Sequence, residues 1–160
     1  MALYQLIYQS LALIPFETPD LTALLHRCCS YNQRHDITGL LLYTQDGRFL
    51  QVLEGEEHEV RRLHFNSIAM DPRHHSCRIL SEGPCAQRSF AGWAMGFRLA
   101  TPRDFRTLLS SVPPDSRGLL VPRPRTRPEL MLLLHQFIES GEVEATIEHP
   151  WHESEELKWH

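Results

Sequence analysis

Two apolar runs, Thr38–Thr44 and Arg48–Glu54, separated only by Gln45-Asp46-Gly47, constrain this chain more than any other feature. Asp-Gly between apolar runs is a strong hairpin signal, because both central residues of a type I′ turn take positive φ. The spacing therefore predicts two antiparallel strands joined by such a turn. Both strands are apolar on both faces: Leu40-Leu41-Leu42 in the first, Phe49-Leu50-Gln51-Val52-Leu53 in the second. A strand with one wet face would alternate. The hairpin must be buried on two sides, and the rest of the chain has to supply two covers.

The remaining pattern provides them. Leu3–Ser10 carries aromatic and β-branched residues without a breaker and reads as a first strand, with Tyr4, Leu6, Tyr8 and Ser10 on one face. Thr18-Pro19-Asp20 opens a helix, with Thr18 as N-cap and proline in the first turn. Leu21, Leu24, Leu25 and Cys28 recur at helical spacing, and the helix should end near Asn32–His35. A second helix is predicted from about Glu56 to Met70, its stripe made of Val60, Leu63, Ser67 and Ile68, with Asp71-Pro72 ending it. Cys77–Ser81 reads as a fourth strand and Gly92–Ala100 as a fifth. The order β-α-β-β-α-β plus one strand is that of split βαβ, ferredoxin-like α+β folds. Two helices would cover one face of a βαββαββ sheet. The other cover is a C-terminal helical extension over Glu129–Glu139, with Leu130, Leu133, Leu134 and Phe137 at helical spacing. Pro113, Pro114, Pro122, Pro124 and Pro128 mark a Pro-rich linker before it, and Glu142–His160 is acidic and only weakly periodic. The expected division is a core domain at 1–100 and an extension at 101–160.

Charge and cysteine usage narrow the class. A chain of 160 residues with 16 basic and 20 acidic side chains is net acidic, which argues against nucleic acid held by phosphate contacts and against a polybasic membrane anchor. The longest apolar run, Leu130–Leu134, falls far short of the roughly 20 residues that span a bilayer. The first residues lack a charged and apolar leader pattern, and Cys28, Cys29, Cys77 and Cys85 have no CxxC spacing. A cytoplasmic protein with reduced thiols is the expectation. His74-His75-x-Cys77 and His149-Pro-Trp-His152 have metal-ligand residue types but no evident fourth ligand, so no metal site is predicted. No GxGxxG, P-loop or nucleophile elbow is present.

Tyr8 and Gln51 are the informative polar positions. Strands 1 and 3 of a ferredoxin-like sheet are central neighbours, so a Tyr on one and a Gln on the other fall within reach of each other. Leaving a buried amide unpaired costs about 1–3 kcal/mol. On spacing alone, Gln51 either serves a ligand or simply bonds the Tyr8 hydroxyl or backbone.

Five segments resemble one family. Leu6-Ile7-Tyr8-Gln9-Ser10, Asn32 followed by Ile37-Thr38-Gly39-Leu40-Leu41, Phe49-Leu50-Gln51-Val52-Leu53-Glu54-Gly55, Asp71-Pro72-Arg73-His74-His75 and Phe90-Ala91-Gly92-Trp93-Ala94-Met95 are similar to BLUF domains, blue-light sensors using flavin. The likeness spans roughly residues 2–100. It implies a non-covalently bound flavin, with FAD first in order before FMN and riboflavin, held between the two helices above the sheet. Tyr8 would be the electron and proton donor. Gln51 would bridge Tyr8 and the flavin, and Asn32 would bond the ring's polar edge. Trp93 and Met95, sharing one face of strand 5, would report the change. Leu24 or Leu25, with Ile68, would supply the apolar walls that ligand pockets require. Arg73 and His74 would contact the flavin or its tail. Rotating or tautomerising the Gln51 amide would exchange the donor and acceptor it presents.

Tyr31, Ser67 and Ala94 depart from the residues frequent in the family at those positions, which bears on the polar contacts to ring and tail. The implied function is a blue-light photoreceptor rather than an enzyme, acting through a homo-oligomer or a downstream protein partner. The competing classes are a small ferredoxin-like phosphate-ester hydrolase, with Asn32 and Arg73 binding an anion, and a non-catalytic interaction module.

Overall fold

The computed structural model describes residues 3–68, 70–111 and 126–140. Its elements are β1 (Leu3–Ala12), α1 (Thr18–Arg34), β2 (Thr38–Thr44), β3 (Arg48–Glu56), α2 (Glu57–Leu63), β4 (His74–Cys85), β5 (Gly96–Ala100), α3 (Pro102–Leu108) and α4 (Pro128–Ser140). The strands form one five-stranded sheet in the order β4-β1-β3-β2-β5. The first four make the antiparallel ferredoxin-like set, and β5 adds parallel to β2.

Burial on both sides of β2 and β3 organises the molecule. One cluster joins Tyr4, Leu6, Tyr8, Leu41, Phe49 and Leu53 to Leu21 and Leu25 of α1 and Val60 and Leu63 of α2. The other joins Ile7, Leu40, Leu42, Leu50 and Val52 to Phe105 and Leu108 of α3 and Leu130 and Leu134 of α4. The predicted Glu129–Glu139 helix thus packs on the far face, opening at Pro128, where proline costs no helical N–H. The other linker prolines and the Glu142–His160 segment lie outside the described residues.

Several local expectations are corrected. The hairpin is not type I′: among its loop residues only Gly47 has positive φ (91°), and its N–H bonds the Thr44 carbonyl at 2.9 Å. That geometry is a three-residue loop, a type I turn followed by a left-handed glycine. Arg48 N–H donates to Thr44 Oγ1, bracing the closure. The N-cap of α1 is Glu17 rather than Thr18, and the Asp20 carboxylate accepts from its N–H. The second helix stops being α-helical at Leu63 and continues as a π-helical turn over His64–Ile68. β4 runs well beyond Cys77–Ser81, because the ten-residue β1 offers it partners from His74 to Cys85.

β5 begins at Gly96, four residues later than predicted. Gly92 at φ 88° and a turn bond from Trp93 N–H to the Phe90 carbonyl break the extended run before it. Helix α3 was not predicted, although Thr101 accepts from Asp104 N–H and Asp104 accepts from Thr101 N–H in a capping box before Pro102.

Leu134 is fully buried between α4 and the sheet. Leu134→Ala should destabilise the protein by about 2–5 kcal/mol, the usual cost of such a truncation. An unchanged urea midpoint would show that α4 does not cover this face in solution.

Candidate functional site

The antiparallel register of β1 and β3 sets Tyr8 directly opposite Gln51. Both side chains point to the α1/α2 face and are almost wholly buried. The Tyr8 hydroxyl donates to Gln51 Oε1. Burial is the main cause that pushes the Tyr8 phenol well above its usual 10, so it remains a proton donor across the physiological range. At the other end of the amide, Gln51 Nε2–H donates to Met95 Sδ at 3.5 Å. A thioether is a weak acceptor, so the two arms of the amide are unequal.

Asn32, buried on the last turn of α1, donates through Nδ2 to the Ala94 carbonyl at 2.7 Å. Gly39 N–H donates to the Trp93 carbonyl at 3.1 Å. Three successive residues, Trp93, Ala94 and Met95, are thereby tied to β2, α1 and β3. The Trp93 ring does not line the site. It stacks on Phe90 (centroids 5.8 Å apart, 23° between planes), which stacks in turn on His135 of α4 (5.5 Å, 22°). A side chain at Gly96 would meet Trp93 Cε3 at 2.5 Å, so the ring lies where only glycine leaves room. The expectation that Trp93 and Met95 share a face of strand 5 is therefore corrected. Both precede β5, Met95 packs in the α1/α2-face core, and Trp93 packs against both core clusters and connects to α4 through Phe90.

Above Tyr8 and Gln51 lies a slot between α1 and the α2 turn. Leu24 and Cys28 of α1 line one side and Ile68 the other, with Phe16, Leu41 and Phe49 completing the apolar surface. Asn32 and Gln51 set polar groups at its inner end. Leu25 is not a wall residue: it is fully buried in the core behind the slot, and Leu24 alone fills that expected role. Ser67 and Tyr31 also line the slot, the latter stacked on His35 at 4.0 Å.

His74 lines it too, but both ring nitrogens are engaged within the protein, Nδ1 with Ser10 Oγ (2.8 Å) and Nε2 with the Ile68 carbonyl. Arg73 clasps Asp71 and lies over the Phe16 ring at 5.7 Å. That ion pair holds the Asp71 carboxyl down at about 2. Burial raises the Cys28 thiol to about 11, keeping it neutral.

Sequence reasoning missed Phe16, Arg27, Cys28, Leu41, Phe49, Leu63 and Asp71 as lining residues, and marked Tyr31 and Ser67 only as departures from the family pattern near the ring and tail. The signal for α1 was available: positions 24, 27, 28 and 31 continue one helical stripe. His64 was missed as well. It is buried in the π-helical turn with its ring tilted against Tyr8 at 5.0 Å, and its Nδ1 has no partner among the described residues. Such turns recur at functional sites.

A flat apolar slot with an amide pair at its inner end and guanidinium groups at its mouth fits a flavin, whose tricyclic ring is apolar on both faces and polar along one edge. The BLUF family model, sensors of blue light using FAD, matches residues 3–96. The chain belongs to this family: it is a flavin-binding blue-light sensor. Among solved structures, the dark-state BLUF protein BlrB is 28% identical with a TM-score of 0.63, covering 88% of this chain and 98% of that one. BlsA in its photo-activated state is 25% identical with a TM-score of 0.67, covering 89% and 99% respectively. The photoactivated adenylate cyclase subunit alpha of Euglena gracilis is 29% identical over 150 residues. That match covers 81% of this chain but only 14% of the cyclase subunit.

His64 supplies a pH signature. Burial lowers its imidazole from 6.5 to about 4. Between those values the unfolded chain binds a proton that the folded chain excludes, so stability falls as pH drops from 6.5 toward 4. The group can contribute up to about 3 kcal/mol to that fall, at 1.36 kcal/mol per pH unit. His64→Phe should flatten the decline in urea midpoint between pH 6.5 and 4.5. An equal decline in both proteins would place its origin elsewhere.

Proposed function

We propose that this chain works as a light-driven hydrogen-bond switch, with Tyr8, Gln51 and Met95 as the switching line and Asn32 holding the flavin's polar edge. The observation that carries the reading is the continuous bond from the Tyr8 hydroxyl through the Gln51 amide to Met95 along the floor of the slot. Leu24 and Ile68, lining the slot, would hold the ring between them, and Arg73 and His74 shape the slot through Phe16 and Ile68 rather than by free polar groups.

When bound, the flavin supplies a blue-light-absorbing ring that accepts an electron once excited. Tyr8, kept protonated by burial, would lend an electron and a proton, the proton passing to the Gln51 carbonyl, and would recover both as the excitation decays, so that only the Gln51 hydrogen bonds differ at the end. A changed amide presents a donor where it had an acceptor. Its weaker arm, to the Met95 thioether, is the one that yields. Release at Met95 loosens the 93–95 segment, and the stack Trp93–Phe90–His135 carries the change to α4.

Residues 1–100 form the sensor and 101–160 the output extension. The cyclase-type relatives carry their enzyme outside the part that matches here. The chain itself then acts without catalysis, through association with a second copy or a downstream protein in the cytoplasm. No helix among the described residues is long and apolar enough to cross a membrane.

The purified protein with flavin should show a reversible red shift of its blue absorption band after illumination. Gln51→Ala and Tyr8→Phe should each retain flavin and lose the shift. A wild-type spectrum unmoved by blue light, or an intact shift in either variant, would overturn the assignment.

A further inference from the structure

His64 is a buried titratable side chain with no part in the line from Tyr8 through Gln51 to Met95. It sits in the π-helical turn that continues α2, with its ring centroid 5.0 Å from that of Tyr8 and the two planes tilted by 53°. Phe65 meets the same imidazole edge-on at 4.8 Å. Its Nδ1 has no hydrogen-bond partner among the described residues. Leaving a buried polar atom unpaired is costly, and such an atom in a folded protein calls for a reason. A phenylalanine would make the same ring contacts with Tyr8 and Phe65 without that cost. What an imidazole can do here and a phenyl ring cannot is take up a proton.

The surroundings hold that proton off at neutral pH. Burial is the main cause that lowers the imidazole to about 4. Glu82 of β4 faces it and favours the charged form, whereas His74 of β4 and Arg61 of α2 oppose it. Glu82 is largely neutralised already, because Arg61 Nη1 donates to its carboxylate at 2.6 Å and the Tyr4 hydroxyl donates to the same oxygen. From β1, the group against the ring is Tyr8 itself, whose phenol burial keeps protonated. His64 therefore stands beside Tyr8 as a neutral ring at ordinary pH and as a cation once acid reaches it.

We propose that His64 is a positioning residue acting through Tyr8 as a charge gate on the light reaction: a neutral imidazole lets Tyr8 lend its electron to the excited flavin, and an imidazolium holds that electron back. The proposal rests on the reading of Tyr8 as electron donor and adds an acid limit to it. Tyr8 carries a positive charge from the loss of its electron until its proton has passed to the Gln51 carbonyl. A second positive charge against its ring, in a site shielded from water, opposes that state. Electron and proton both return to Tyr8, so nothing is oxidised in the end, and the proton on His64 is exchanged with solvent alone. The sign follows: the light reaction weakens as pH falls.

The emission decay of flavin bound to the full chain reads this step directly, because an electron lent by Tyr8 quenches the emission. Between pH 7 and 5 the protonated share of His64 grows about tenfold per pH unit and reaches roughly one molecule in ten at pH 5. A slowly decaying component with the anisotropy of protein-bound flavin should grow in the same proportion. His64→Phe and His64→Gln, neither able to take the proton, should decay fast throughout, and either variant alone suffices for the comparison. A slow component that fails to grow between pH 6 and 5 would overturn the gate while leaving Tyr8 as the donor. So would equal growth in the variants. A decay at pH 7 that Tyr8→Phe leaves unchanged would overturn the donor reading and the gate together.

Discussion

The β1–β3 pairing is the constraint on which the rest of the structure depends. Because the two strands run antiparallel in a fixed register, Tyr8 meets Gln51 across the centre of the sheet. A one-residue slip would turn either side chain to the α4 face and leave a buried hydroxyl or amide unpaired. Register is held by burial on both faces: Leu6 and Leu53 on one side, Ile7 and Val52 on the other, all fully buried. The same double burial requires a second cover, and α3 with α4 supplies it. A chemically specific pair and a mechanically specific extension therefore follow from one apolar pattern.

The site and the extension meet in three residues. Trp93, Ala94 and Met95 are bonded by Gly39 N–H, the Asn32 amide and the Gln51 amide in turn. Two of these three donors belong to side chains that line the slot. The stack from Trp93 through Phe90 then touches α4, whose last turn is also gripped by Arg98 through the Phe137 and Ile138 carbonyls. A tenfold change in a population ratio takes about 1.4 kcal/mol, close to one net hydrogen bond. In the switch proposed above, the bond to the thioether is the arm surrendered, and α4 stands at the far end of this connection.

Much of this arrangement was legible in the residues. The element order alone makes strands 1 and 3 neighbours, so Tyr8 and Gln51 could be paired without coordinates. The far-face helix followed from Leu130, Leu134 and the doubly apolar strands. What escaped depended on details that periodicity does not encode. A helical stripe is too broad to say that Leu24 faces a slot while Leu25 faces the core. The late start of β5 comes from one glycine at positive φ, which moves Trp93 off the strand altogether. Asp46-Gly47 signalled a turn correctly but not its type, which Gln45 sets by lengthening the loop to three residues. Helix α3 was written in Thr101-Pro102-x-Asp104.

The central claim is that light changes what the Gln51 amide offers its neighbours. Side-chain amide NMR of glutamine-labelled protein with bound flavin, recorded in the dark and under blue light, observes that group itself, and Gln51→Ala assigns its resonances. The account predicts that the two Nε2 proton resonances of Gln51 move on illumination and return in the dark, with the Met95 methyl signal shifting in step. A flavin absorption band that shifts while the Gln51 and Met95 resonances stay fixed would contradict it.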